Sequence, residues 1–120
     1  MQLTSPTTAS RAEQIVRLGQ LAMVSERDGD IHTLGLDGEL DLANAGDVEH
    51  ELRRIEATDA EVILVDLRDL SFIDSTGMKL LVTAAARSRA QNRLVLEGAA
   101  PGVLRVLRIA GIVDLLPLAG

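Results

Sequence analysis

The sequence predicts a single α/β domain: a mixed sheet with an opening antiparallel hairpin and later parallel strands, flanked by helices. Three observations carry that reading. Asp28-Gly29 stands between two apolar runs, a strong hairpin signal. Beyond it, strand-like runs alternate with helical stretches, and such crossovers imply parallel pairing. Val62-Ile63-Leu64-Val65 is a continuous apolar run that reads as a central strand buried on both faces.

The elements follow in order. Residues 1–10 are small and polar and read as a loose tail. The spacing of Ile15, Leu18 and Ala22 predicts a short amphipathic helix over residues 11–21, capped by Ser10 with Glu13 completing a capping box. A strand then runs from Leu21 into the Asp28-Gly29 turn. Its return begins at Ile31, with Leu34, Leu36 and Leu40 on one face, while Gly35 and Gly38 suggest a bulge or a close backbone approach. Asp41 is placed to cap a helix over residues 42–57, with Ala45, Val48, Leu52 and Ile55 as its apolar stripe.

After the central strand, a helix of about fifteen residues starts near Ser75. It sets Thr76, Lys79, Thr83 and Arg87 opposite Leu80, Leu81, Ala84 and Ala85. Leu94 to Glu97 forms a strand stopped by Gly98. Pro101 opens a last helix and Gly111 closes it, with Val103, Leu104, Leu107 and Ala110 as its buried stripe. The apolar stretch from Ile112 to Leu118 fits an edge strand or a helical turn equally.

Composition limits the function. The chain has 120 residues, 47% of them hydrophobic, and no cysteine, so disulfides, thiolate zinc sites and cysteine nucleophiles are excluded. No run reaches the roughly 20 apolar residues of a spanning helix, and the first ten residues carry no secretory pattern. A cytoplasmic protein is the default expectation. Residues 1–74 carry a net −10 and residues 75–120 a net +4, for a total of −6. That acidic balance disfavours nucleic acid, whose binding needs cations against phosphates. There is no tryptophan or tyrosine to stack bases or to anchor at a membrane interface.

The turn from Asp66 to Gly77 follows the most buried strand, where open α/β sheets place their sites. Ser75 there can cap the helix or serve as a site. The nucleophile-elbow pattern fails because Ile73 stands where glycine is needed. The two histidines, His32 on a strand and His50 on the acidic helix, are not placed to complete a triad. Asp37, Glu39 and Asp41 alternate along one strand, but solvated acids explain them better than a metal site. Neither a P-loop nor a dinucleotide fingerprint occurs. The sequence does not read as an enzyme, and it calls for no cofactor or metal. Ser75 instead suits phosphate acceptance. A phosphate at a helix start meets free amides and the positive end of the dipole, and adds about two negative charges beside Asp74.

Phe72-Ile73-Asp74-Ser75-Thr76-Gly77 resembles the phosphorylation motif of STAS-domain anti-anti-sigma factors, the anti-sigma factor antagonists of bacteria. Gly38-Glu39-Leu40-Asp41-Leu42 is similar to that family's segment before its first helix. Val62 to Asp66 resembles its core strand, and Leu107 to Ile112 with Asp114-Leu115-Leu116 resembles its C-terminal end. The likeness implies a STAS domain over residues 21–118, with residues 1–20 as a tail or short helix. It implies partner switching without catalysis. The unmodified chain would bind an anti-sigma factor that is also a GHKL-type serine kinase, freeing the sigma factor for transcription. That kinase would use ATP to phosphorylate Ser75, with Thr76 as a lesser acceptor, and a PP2C-type phosphatase would reset the switch. The implied docking rim comprises Asp41, Asp74, Thr76, Gly77, Met78 and Lys79. The alternative is a STAS scaffold module in a larger regulatory or lipid-transport assembly, working without phosphorylation.

Overall fold

The computed structural model describes residues 11–119. The chain runs β1 (Arg11–Leu18), β2 (Leu21–Asp28), β3 (Ile31–Leu40), α1 (Ala45–Glu56), β4 (Val62–Asp66), β5 (Leu70–Ile73), α2 (Ser75–Ser88), β6 (Leu94–Glu97) and α3 (Pro101–Ile109). A 3-10 turn at Val113–Leu115 and a two-residue strand β7 (Leu118–Ala119) follow. The seven strands form one sheet in the order β1-β2-β3-β4-β6-β7, with β5 pairing the far end of β3. β1, β2 and β3 are antiparallel; every later pairing is parallel. The mixed α/β sheet is as expected. Among the described residues no helix is long and apolar enough to cross a membrane.

One face of the sheet carries the core. Leu21 and Met23, Leu34 and Leu36, Ile63 and Val65, and Leu94 and Leu96 share that face and are buried. α1 covers them with Ala45, Val48, Leu52 and Ile55, and α2 with Leu80, Leu81, Ala84 and Ala85. Both stripes are those the spacing predicts. Arg87 fastens the two helices together, reaching Glu56 at 2.8 Å and Glu49 at 2.9 Å. The hydrogen bonds to Glu56, with those to Glu49 adding to them, hold the guanidinium even more firmly charged than usual.

Four expectations need correction. Residues 11–21 do not form a helix; Arg11–Leu18 is a strand on β2. An isolated helix that short is marginal, whereas the edge of β2 offers a row of backbone partners to the adjacent Ile15 and Val16. The tail and its Ser10 cap lie outside the described residues. The central strand is not buried on both faces. Ile63 and Val65 are buried, but Val62 and Leu64 are half-buried, because Leu64 faces an open cleft beside Val24, Thr33 and Gly35. The first helix begins at Ala45 rather than residue 42, with Asn44 as its N-cap. On α3, Val103 and Leu107 are buried, Leu104 is half-buried and Ala110 is exposed, since the helix ends at Ile109. The undecided stretch from Ile112 to Leu118 splits into the 3-10 turn and the start of β7.

Gly38 is the irregular point of β3. Its φ is +118°, the pairing register with β5 shifts between Gly38 and Glu39, and a Cβ here would overlap the Gln20 carbonyl oxygen. The kink is thus the bulge and close approach that the glycine foretells, and it lets β5 pair with the end of β3.

Candidate functional site

Where β3 and β5 end side by side, two polar turns meet. Asp74 follows β5 and is the N-cap of α2; its Oδ1 accepts from the Gly77 amide at 2.9 Å. Its Oδ2 accepts from the Leu42 amide at 3.1 Å, in the turn after β3. The Asp74 amide in turn donates to the Leu40 carbonyl at 3.1 Å. One carboxylate therefore caps a helix and fixes the neighbouring loop to it. The second turn is self-bonded. Asp41 Oδ1 accepts from the Ala43 amide at 2.9 Å, and the Asp41 amide donates to Asn44 Oδ1 at 3.0 Å.

Asn44, only 2% exposed, donates from Nδ2 to the Glu39 carbonyl at 2.9 Å and anchors the turn from beneath. The sequence points to Asp41 as the cap, although Asn44 directly precedes Ala45, the first residue of the apolar stripe.

Ser75 is not the cap. It occupies the first helical position and is exposed. Among the described residues its Oγ makes no hydrogen bond, and the amides of Ser75 and Thr76 have no acceptor. An exposed hydroxyl thus sits beside N–H groups without a partner at the positive end of a helix, where an anion is favoured. The remaining rim residues differ in access. Lys79 is exposed; Asp41, Thr76 and Met78 are half-buried. Gly77 is buried, and a Cβ there would come within 2.8 Å of both Ile73 Cγ1 and Leu40 Cγ. Its role is close packing of the helix start on the strand ends. Two apolar side chains flank the rim unforeseen: Leu42, 75% exposed, and Phe72, the chain's one aromatic, 47% exposed.

Neither histidine is bonded to Ser75. His50 is exposed on α1. His32 is buried, with its Nε2 2.7 Å from Ser25 Oγ. Burial first, then the Arg54 charge, pushes its imidazole below the ordinary range, so it favours the neutral form. This serine–histidine contact is sealed under α1 and serves packing. Asp37 lines the open cleft while Asp41 bends into its turn, and among the described residues no cluster of three or more His, Cys, Asp or Glu could hold a metal.

Asp74→Ala is expected to destabilise the fold by about 2 kcal/mol, roughly 1 for the cap and a similar amount for the Leu42 bond. Asp74→Asn keeps the cap but turns an N–H toward the Leu42 amide, so about half that loss should persist. Urea denaturation of the three proteins checks the order.

Residues 22–119 match the family model for the STAS domain. The anti-sigma-B factor antagonists of Listeria monocytogenes and Listeria innocua are each 32% identical to the chain over 97 residues, covering 79% of it and 84% of theirs. Among solved structures, an anti-sigma factor antagonist from Mycobacterium paratuberculosis superposes with a TM-score of 0.68 at 18% identity, covering 97% of this chain and 89% of that one. Unphosphorylated SpoIIAA superposes at 0.61 and 22% identity, covering 91% and 89%. The phosphorylated form of SpoIIAA, from Bacillus, gives 0.57 and 21%, covering 91% and 92%.

Proposed function

The chain belongs to the STAS domain family, and on that premise we propose that it is an anti-sigma factor antagonist switched by phosphorylation of Ser75. It works in the cytoplasm by docking the rim of Asp41, Asp74, Thr76, Met78 and Lys79, shaped by Gly77, on an anti-sigma factor that is also a GHKL-type serine kinase. Bound to the antagonist, that factor releases its sigma factor. The observation that supports this best is the exposed, unbonded Ser75 hydroxyl at the first position of α2.

The chemistry is phosphoryl transfer. Ser75 Oγ attacks the γ-phosphorus of ATP held by the partner, ADP leaves, and the hydroxyl proton passes to a base of the kinase. This chain supplies the acceptor and its placement rather than the catalysis. The product phosphate lies over the Ser75 and Thr76 amides, while the Asp74 and Asp41 carboxylates repel it. The charge added is about −2. It faces whatever surface had docked on a neutral hydroxyl, and the complex separates. A PP2C-type phosphatase restores the hydroxyl by hydrolysis.

Incubation with the cognate kinase and ATP, followed by peptide mass spectrometry, tests the assignment. One phosphate on Ser75, and none on Ser75→Ala, is the expected result. Incorporation at Thr76 or elsewhere, or an unmodified chain with a kinase active on other substrates, would refute Ser75 as the acceptor.

A further inference from the structure

β1 lies ahead of residues 22–119, the segment that matches the family, and it forms an edge of the sheet. Among the described residues it pairs with β2 alone. The two strands join through the two-residue turn Gly19-Gln20, with Leu18 opposite Leu21. Such a turn makes its flanking residues a hydrogen-bonded pair, and bonding alternates from there. Gln14, Val16 and Leu18 therefore direct their backbone groups at β2, and Glu13, Ile15 and Arg17 direct theirs outward.

Sheets usually protect such an edge with charged side chains, lysine above all, with proline or with a bulge, and the charges of β1 are of both signs, Arg11, Glu13 and Arg17. The strand has no lysine or proline among its eight residues, and its register with β2 is unbroken. Ile15 is 59% exposed and Val16 is 44% exposed.

We propose that β1 is a homodimer edge, pairing antiparallel with β1 of a second copy about a two-fold axis through Ile15. The sequence is self-complementary in that register. Ile15 meets Ile15 of the second copy. Glu13 faces Arg17 of the second copy, and Arg17 faces its Glu13, so two opposite-charge pairs form by symmetry. Centring the axis on Glu13 or on Arg17 would instead set like charges face to face. Among the described residues neither Glu13 nor Arg17 is in an ion pair, and both are exposed. The dimer leaves Ser75 accessible. β2 and β3 separate β1 from the lane of β5, about 14 Å at roughly 4.8 Å per strand. One particle would then present two rims.

Sedimentation velocity on the full chain over a wide concentration range tests this. The expected mass rises with concentration from 12.8 kDa toward twice that value. Glu13→Arg or Arg17→Glu alone sets two like-charge pairs against each other and should weaken association at least about tenfold. The double exchange, Glu13→Arg with Arg17→Glu, restores complementarity and should bring association back to within about threefold. Far-ultraviolet circular dichroism should be the same for all four proteins. A chain that stays monomeric throughout, a dimer indifferent to the single exchanges, or a double exchange that fails to rescue would overturn the proposal.

Discussion

Replacing Gly38 with alanine is expected to lower the melting temperature by about 10–15 °C, the largest effect of any single methyl group in this fold. Two independent penalties combine. A φ of +118° is a region that L side chains rarely adopt, at a cost of about 1–3 kcal/mol. The added Cβ would also overlap the Gln20 carbonyl oxygen, which accepts from the Glu39 amide at 2.9 Å, so backbone must move on one strand or the other. Overpacking of that kind costs a further 1–3 kcal/mol or so. Together they reach about 3–4 kcal/mol, a large share of the roughly 5–15 kcal/mol that holds a domain together. Gly29 is the control. Its φ is +60° but nothing lies within 4 Å of a Cβ there, so Gly29→Ala should cost about 1 kcal/mol. Equal melting shifts for the two variants would show that the close approach at Gly38 contributes nothing.

The second large effect is on binding rather than folding. A phosphate on Ser75 gains about 0.3–1 kcal/mol from the helix terminus and loses a similar amount to Asp74 and Asp41. Those contributions oppose one another, so the melting temperature and circular dichroism should scarcely change. Docking is another matter. A doubly charged group pressed against a surface that fitted a neutral hydroxyl is stripped of water without compensation, at a cost of several kcal/mol. Ser75→Ala should keep both the fold and the partner. Ser75→Asp should bind more weakly than wild type and more tightly than the phosphoprotein, since one carboxylate carries less charge. A rearranged sheet in the phosphoprotein would make the switch conformational and contradict this electrostatic account.

The elements legible in the sequence were those whose signals are local. The stripe Ala45, Val48, Leu52 and Ile55 and the stripe Leu80, Leu81, Ala84 and Ala85 each mark a helix face by spacing alone, and both faces are buried. Asp28-Gly29 marked the hairpin, and Gly38 its kink. The misread elements were those fixed by distant partners. Ile15 and Leu18 fit helical spacing as well as a strand, and only the free edge of β2 selects the strand. Asn44 holds the N-cap position of α1 without a side-chain cap bond, because its side-chain amide is spent on the Glu39 carbonyl and the Asp41 amide, contacts that no local pattern marks. The pairing of Ser25 with His32 depends on the β2–β3 register, which places them on one face two residues out of step. At the site, the motif from Phe72 to Gly77 was visible. The second bond of Asp74, to the Leu42 amide, was not, because it joins residues 32 apart in the chain.

Calorimetric titration of the cognate anti-sigma factor kinase with unmodified and Ser75-phosphorylated protein, at one salt concentration and with the nucleotide fixed, tests the central claim most directly. The account predicts that phosphorylation lowers affinity at least tenfold, about 1.4 kcal/mol, with the melting temperature unchanged. Equal affinities for the two forms would contradict it.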